Sequence, residues 1–105
     1  MFKVFRTEEF EKRMKKLLTK EQQAIVEKIE NEIAEKGFVG SPLGFDFLRE
    51  KRISDKRVYF LLYGGLNVAL MVSVSDKKTQ QETIDKIKAY LPEFRKLMET
   101  MGKTT

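Results

Sequence analysis

Hydrophobic residues in the first third of the chain recur at three- and four-residue intervals. This spacing runs through residues 7–36 and is typical of amphipathic helices. Thr7 is suited to cap the first helix, and Thr19 with Gln22 fits a capping box that starts a second. Gly37 then supplies a helix stop. The pattern therefore predicts a hairpin of two helices.

Apolar and polar residues alternate in the middle of the chain, as in strands that bury one face. The predicted strands are residues 2–6, 45–53, 56–63 and 66–74. Two-residue connections, Ser54-Asp55 and Gly64-Gly65, separate the last three and favour hairpins. We therefore expect an antiparallel meander, with a loop over residues 37–44 before it.

A last helical pattern follows the strands. Thr79 and Glu82 fit a second capping box, and Pro92 should interrupt or kink the helix that it opens. Apolar residues continue at helical spacing as Phe94, Met98 and Met101. Core packing is the favoured role for these three, and a docking surface for a partner helix or a second copy is the alternative.

The predicted order of elements is β-α-α-β-β-β-α. This order indicates one α+β domain over residues 1–105, with the helical hairpin and the C-terminal helix packed on one face of a mainly antiparallel sheet. Neither a signal peptide nor an apolar run long enough to span a membrane is apparent, so we expect a cytoplasmic protein without a membrane partner.

Composition narrows the possible chemistry. The chain has 21 Lys and Arg against 16 Asp and Glu, a net charge of +5 that favours an anionic partner, either nucleic acid or an acidic protein. A solvated surface with a small lysine surplus is the alternative. The absence of Cys and His excludes disulfides, thiolate chemistry and ribonucleases built on paired histidines. We expect no metal and no cofactor.

Cations concentrate around the first predicted β-turn, where five of the nine residues 49–57 are basic. A two-residue turn would place Arg52 opposite Arg57 on one face of the sheet. Because side chains alternate along a strand, Tyr59 should point to the same face as Arg57. Lys77 and Lys78 follow the last strand and could close one end of this group. Such a face suits a phosphodiester backbone. The alternative is an exposed sheet with solvated cations that nearby carboxylates partly neutralise.

The last strand decides which face is open. One side of it is aliphatic, and the other carries small and polar residues together with Met71: Asn67, Ala69, Met71 and Ser73. We assign the aliphatic side to the helices. The side of Ser73 should then join Arg52, Arg57 and Tyr59 in an open concavity.

Three segments resemble the RelE/ParE toxin superfamily, which includes the RelE, HigB and ParE branches. They are Pro42-Leu43 before the sheet, residues 52–60 with an Arg on each side of a two-residue turn and an aromatic strand, and the basic residues 77–80. The resemblance covers residues 2–91 in the order and length of the elements. It implies a RelE/ParE-like fold and the toxin of a type II toxin–antitoxin pair, with a cognate antitoxin as partner.

In the RelE and HigB branches, the resemblance implies metal-independent, ribosome-dependent cleavage of mRNA, in which the 2′-hydroxyl attacks the adjacent phosphate. Carried over to this chain, Arg57 would stabilise the phosphate in the transition state, Arg52 would assist, and Lys78 would contact phosphate or protonate the leaving oxygen. Further RNA contacts would come from Arg49, Lys51, Lys56 and Lys77.

One position departs from the RelE pattern. Many RelE-type enzymes place Tyr or His early in the final helix, where this chain has Ile84. Tyr59 is the candidate that could replace that group from the neighbouring strand. Because the final helix is poor in acid–base side chains, two alternatives stay open: a ParE-like inhibitor of DNA gyrase, and a basic RNA-binding homologue without catalytic activity.

Overall fold

The computed structural model describes the backbone of residues 1–103 and the side chains of residues 1–100. Its elements, in chain order, are β1 (Lys3–Arg6), α1 (Glu8–Leu17), α2 (Lys20–Lys36), β2 (Ser41–Pro42), β3 (Leu48–Ile53), β4 (Lys56–Tyr63), β5 (Val68–Asp76), α3 (Gln80–Ala89) and α4 (Leu91–Lys103). The strands form one sheet in the order β1-β5-β4-β3-β2, in which β1 is parallel to β5 and the other pairs are antiparallel. The predicted α+β class is confirmed.

The helical hairpin forms for the local reasons that the sequence indicates. The Thr7 hydroxyl accepts a hydrogen bond from the Phe10 amide at 3.0 Å and caps α1. The capping box of Thr19 and Gln22 is present, with hydrogen bonds of 3.1 and 2.9 Å. Gly37 ends α2 with φ of 74°, a conformation that glycine adopts without steric cost.

The meander is also present, with shifted ends. β3 begins only at Leu48, and the short strand β2 pairs with it, so part of the expected loop over residues 37–44 belongs to the sheet. β5 begins at Val68, so the expected two-residue turn at Gly64-Gly65 is a four-residue connection, and the strand extends to Asp76, two residues beyond the expected end. The final helical pattern is divided into α3 and α4, with Pro92 in the first turn of α4, where its missing amide proton costs no hydrogen bond.

Helices cover both faces of the sheet, so the expectation that they cover one face was wrong. The first core lies between the sheet and α1–α2 and includes Phe10, Val26, Ile33, Phe60 and Met71. The second core lies between the opposite face and α3–α4 and includes Tyr59, Leu61, Leu70, Ile84 and Met98. Consecutive residues of β4 are buried because each face has its own helical layer.

A β-bulge explains why the faces of β5 were assigned incorrectly. Tyr59 pairs with Ser73 while Phe60 pairs with Met71, so Val72 is an extra residue in β5. Strict alternation breaks at that point. Met71 therefore lies under α1–α2 rather than in an open concavity, and Val74 belongs to the same core rather than to the face of Val72.

The start of α3 differs from the expected capping box. The Thr79 side chain accepts no capping hydrogen bond, and Asp76 instead accepts from the Thr79 amide and hydroxyl, each at 2.9 Å. In α4, Met98 is buried in the second core, as favoured, and Phe94 packs against it. The side chain of Met101 lies outside the described residues.

No helix within residues 1–103 combines the length and apolar character that a membrane crossing requires.

Candidate functional site

Two neighbouring rows of polar side chains cross three strands on the face that α3 and α4 partly cover. The strand register defines these rows, named here the polar rows, as Arg52–Arg57–Ser75 and Glu50–Tyr59–Ser73. The next row toward the sheet centre, Leu48–Leu61–Leu70, is apolar and buried. The polar rows therefore occupy the end of the sheet at the β3–β4 turn, as predicted for Arg52, Arg57 and Tyr59.

The two arginines lie side by side on adjacent strands. Arg57 is only 6% exposed, whereas Arg52 is exposed. Among the described side chains, neither arginine makes a hydrogen bond or an ion pair. Like charges that face each other across a strand pair repel. An anion bound at this row would therefore be stabilised by both guanidinium groups.

Tyr59 lies one row inward and is fully buried, and Ser73 is nearly buried, so the expectation that these residues line an open concavity was wrong: α3 and α4 cover this part of the face. Its hydroxyl is 2.7 Å from the Ser75 hydroxyl, so the two polar rows are joined by a hydrogen bond. Burial raises the pKa of Tyr59, while the Ser75 hydrogen bond and the charge of Arg57 oppose that rise. The phenol is therefore neutral at pH 7, and its contact with Ser75 holds that hydroxyl beside Arg57.

Glu50 is the acidic member of the polar rows, and the sequence indicated it only as one of the nearby carboxylates that could partly neutralise the cations. It faces Tyr59 across β3 and β4, and its carboxylate accepts a hydrogen bond from the Gln80 side chain at 3.3 Å. Its charge also contributes to the raised pKa of Tyr59. The alternation of side chains along a strand could have identified it, because Glu50 and Arg52 are two residues apart and must point to the same face.

The lysine pair stands at the end of the polar rows. Lys77 and Lys78 occupy the turn between β5 and α3, directly after Asp76, and both are exposed. Neither forms an ion pair with any residue whose side chain the structure describes. Two cations of the polar rows and two of the adjoining turn thus lie near one end of the sheet, and Glu50 is the carboxylate within the polar rows.

Comparison with solved structures identifies the fold. Isolated RelE toxin of E. coli superimposes with a TM-score of 0.63 at 15% identity, over 83% of this chain and 99% of that one. A mutant of E. coli RelE with two arginines replaced by alanine, in complex with a peptide of the antitoxin RelB, gives a TM-score of 0.64 at 15% identity, over 78% and 93%. This chain has the RelE toxin fold. No protein-family profile and no curated protein matches the sequence.

Of the four predicted RNA contacts, Arg49, Lys51 and Lys56 lie away from the polar rows. Arg49 points to the opposite face, where its guanidinium donates to the Val39, Gly40 and Asp46 carbonyl oxygens at 2.8 to 3.0 Å. Lys51 pairs with Glu32 of α2 at 3.1 Å. These contacts hold the sheet to the surrounding chain, so we do not place either residue in the candidate site.

Lys56 and Ile84 also lie outside the polar rows. Lys56 pairs with Asp55 at 3.0 Å and faces Asp76 across β4 and β5, on the other face from Arg57. Ile84, at the position where RelE-type enzymes are expected to have an aromatic or basic group, is buried in the second core. Its side chain contributes packing at this position and no acid–base group.

Arg13 was missed by sequence reasoning because nothing in α1 indicates where it points. β1 ends opposite Met71, so the next part of β5 has no strand on that side. Arg13 crosses this edge, and its Nε donates to the Val74 carbonyl oxygen at 2.6 Å. A cavity of about 300 Å³ lies beside it, lined by both Arg13 and Ser73. The candidate site therefore continues from the polar rows around the edge of the sheet.

Proposed function

We propose that this chain is the toxin of a type II toxin–antitoxin pair and that it cleaves mRNA on the ribosome at the polar rows. The observation that carries the proposal is the side-by-side placement of Arg52 and Arg57, both without an acidic partner among the described residues. A fold that buries most of a cation without an ion pair loses stability, so a function is the better explanation for Arg57. The likeness to E. coli RelE supports the toxin class.

The proposed reaction uses the 2′-hydroxyl of the RNA as the nucleophile. Its oxygen forms a bond to the adjacent phosphorus, and the bond from phosphorus to the 5′-oxygen of the next nucleotide breaks. Glu50 takes the proton of the 2′-hydroxyl, and Lys78 supplies a proton to the leaving 5′-oxygen. Arg57 stabilises the charge that develops on the phosphate, and Arg52 holds the substrate. Tyr59 acts through Ser75 as a positioning residue, since it is fully buried.

The test compares Arg57→Gln with Lys51→Gln, which removes the same charge from the same sheet on the other face. Loss of transition-state stabilisation should lower the rate of cleavage of ribosome-bound mRNA by about 100-fold or more for Arg57→Gln. It should also relieve growth arrest on expression. Lys51→Gln should cleave like the parent protein. If the parent leaves ribosome-bound RNA intact, or if Arg57→Gln is as active as the parent, the nuclease proposal is wrong.

A second candidate is a ParE-like inhibitor of DNA gyrase. The observation that favours it is the buried Ile84, which leaves the start of α3 without an acid or base at that position. Double-strand DNA breaks in cells whose messages stay intact would select this function. Salt-sensitive RNA binding without cleavage and without growth arrest would select the inactive homologue instead.

The proposed partner is a cognate antitoxin, and the proposed place of action is the cytoplasm, where messages are translated. The complex of E. coli RelE with a RelB peptide supports the first part. Coexpression of the neighbouring open reading frame should restore growth and yield a complex that copurifies with this chain. Growth arrest that no neighbouring reading frame relieves would contradict the antitoxin pairing.

A further inference from the structure

The cavity at the edge of β5 is lined by four elements, α1, β5, α3 and α4, and differs in character from the polar rows. Its wall includes apolar side chains of the sheet and of α3–α4, among them Val72, Ile87 and Phe94. Tyr90 lies at the α3–α4 junction with 57% of its surface exposed and contributes an aromatic ring. With a volume of about 300 Å³, the cavity is at the lower end of the range for small-ligand sites.

One residue links this cavity to the polar rows. Ser73 pairs with Tyr59 in the sheet and also lines the cavity, so the two sites are separated by one strand, about 5 Å. The Ser73 side chain is nearly buried and makes no side-chain hydrogen bond within the described part of the chain. Ser73 therefore joins the cavity wall to the polar rows, whereas Ser75 is fully buried and does not line the cavity.

Arg13 gives the cavity a fixed cation. Its Nε is anchored to the Val74 carbonyl oxygen at 2.6 Å, which orients the guanidinium and leaves its two terminal nitrogens for other partners. One of them, Nη1, is 3.7 Å from the Glu9 carboxylate, too long for a hydrogen bond. A phosphate oxygen could form a stronger, charge-assisted contact there. Glu9 is the competitor for that position, and Lys86 and Glu82 lie 3.8 Å apart on α3 at the same cavity.

We infer that this cavity is a nucleotide subsite, in which Arg13 binds a backbone phosphate and Tyr90 stacks on the base of a nucleotide next to the cleaved bond. This inference rests on the proposed function for its substrate. Aromatic side chains bind unstacked RNA bases by stacking, and a neighbouring cation neutralises the phosphate. Arg13 is then a binding residue that acts apart from the reacting atoms, which Arg57 and Glu50 contact.

The experiment is an NMR titration of the whole protein with adenosine 5′-monophosphate and, separately, with adenosine. The nucleotide should shift the amide signals of Ser73, Thr83 and Ile87 and bind more tightly than the nucleoside. Arg13→Gln should raise the Kd for the nucleotide about tenfold and abolish its advantage over the nucleoside. Glu9→Gln should lower that Kd by about threefold, because it removes the competing carboxylate without changing the size of the side chain.

Two controls separate this inference from the proposed function. Arg52→Gln, which removes a cation of the polar rows, should leave the shifts at Ser73, Thr83 and Ile87 unchanged. Since mononucleotide binding needs no cleavage, its absence at the cavity overturns the subsite even if the protein cleaves RNA. A protein that binds the nucleotide at the cavity but cleaves nothing refutes the nuclease alone. If Arg13→Gln does not fold, Glu9→Gln provides the test instead. An unchanged Kd for the nucleotide in that variant would contradict the proposed nucleotide subsite.

Discussion

Two tyrosines of β4 on the same face have opposite hydrogen-bonding states. The Tyr59 hydroxyl is paired with Ser75, whereas the Tyr63 hydroxyl is buried without a partner among the described residues. Burial raises the pKa of Tyr63 to about 12, although the Arg95 guanidinium, 5.6 Å from the ring centroid, opposes the rise. A buried polar group without a partner costs stability, and a paired one does not.

We therefore predict opposite effects from the same change at these two positions. Tyr63→Phe should raise the free energy of unfolding by about 1 kcal/mol, because it removes a hydroxyl that gains nothing from burial. Tyr59→Phe should lower it by about 1 kcal/mol, because it breaks the Ser75 contact. Urea denaturation of both variants tests the pair. A loss of stability in both would mean that the Tyr63 hydroxyl has a partner.

Two arginines that are nearly buried differ in the same way. Arg49 donates to three backbone carbonyl oxygens, while Arg57 has no partner in the described part of the chain. Arg49→Met should therefore lower the free energy of unfolding by about 3 kcal/mol, since it leaves those oxygens without donors. Arg57→Met should raise it by about 1 kcal/mol while it removes activity. Guanidinium denaturation measures both, and a destabilised Arg57→Met variant would indicate a structural role for Arg57.

At the residue scale, the alternation of side chains along each strand predicted the part of the candidate site that lies on neighbouring strands. Arg52, Arg57 and Tyr59 share a face because a two-residue turn fixes their register. The same rule could not reveal that Arg49 is bound by carbonyl oxygens of the loop before β3, or that Lys51 is bound by Glu32 of α2. Arg13 was unpredictable for a related reason, as its contact with Val74 spans 61 positions in the chain.

At the element scale, the start of α3 depends on Asp76 rather than on the expected capping box. The Thr79 amide and hydroxyl lower the pKa of the Asp76 carboxyl below its ordinary value. The folded protein therefore holds the ionised form to lower pH than the unfolded chain does. The cap stabilises the fold above the unfolded pKa of about 3.9, and this stabilisation is lost as the pH falls below that value.

Asp76→Asn should test this cap. The variant should lower Tm at pH 7, and the difference from the parent protein should shrink as the pH falls below about 4, because the parent then loses the same charge. Thermal unfolding at a series of pH values measures the difference. Glu82→Ala serves as the control and should change Tm little, because the box that would involve Glu82 is not formed and its pair with Lys86 is exposed. A larger loss for Glu82→Ala than for Asp76→Asn would contradict this account.

Element order could be read from the sequence, apart from the short β2 and the division of the final helix into α3 and α4, but the face of the sheet that each helix covers could not. Local caps and turns specify where α1, α2 and β4 begin, and those signals lie within a few residues of each end. The bulge at Val72 depends on how β4 and β5 pair, and no local residue pattern marks it. One inserted residue reverses the faces of the rest of β5, which is why Met71 was expected in the open concavity and lies in the first core.

At the scale of the whole molecule, the sheet cations on the side of α1 and α2 differ in environment from those at the polar rows. On the side of α1 and α2, Arg6, Arg49 and Lys51 are engaged with carboxylates or carbonyl oxygens. At the polar rows and the adjoining turn, Arg52, Arg57, Lys77 and Lys78 have no acidic partner in the described part of the chain. The net charge of +5 therefore understates how strongly one end of the molecule should attract an anionic polymer.

This division predicts how RNA binding depends on salt. Each cation that contacts a phosphate of single-stranded RNA should contribute about 0.7 to the slope of log K against log salt concentration. Arg52→Gln and Lys78→Gln should each reduce the slope by about that amount, whereas Lys51→Gln should leave it unchanged. Fluorescence anisotropy with a labelled single-stranded RNA at several salt concentrations measures the slope. Equal reductions for all three variants would mean that RNA is attracted by total charge alone, and the polar rows would then have no special part in binding.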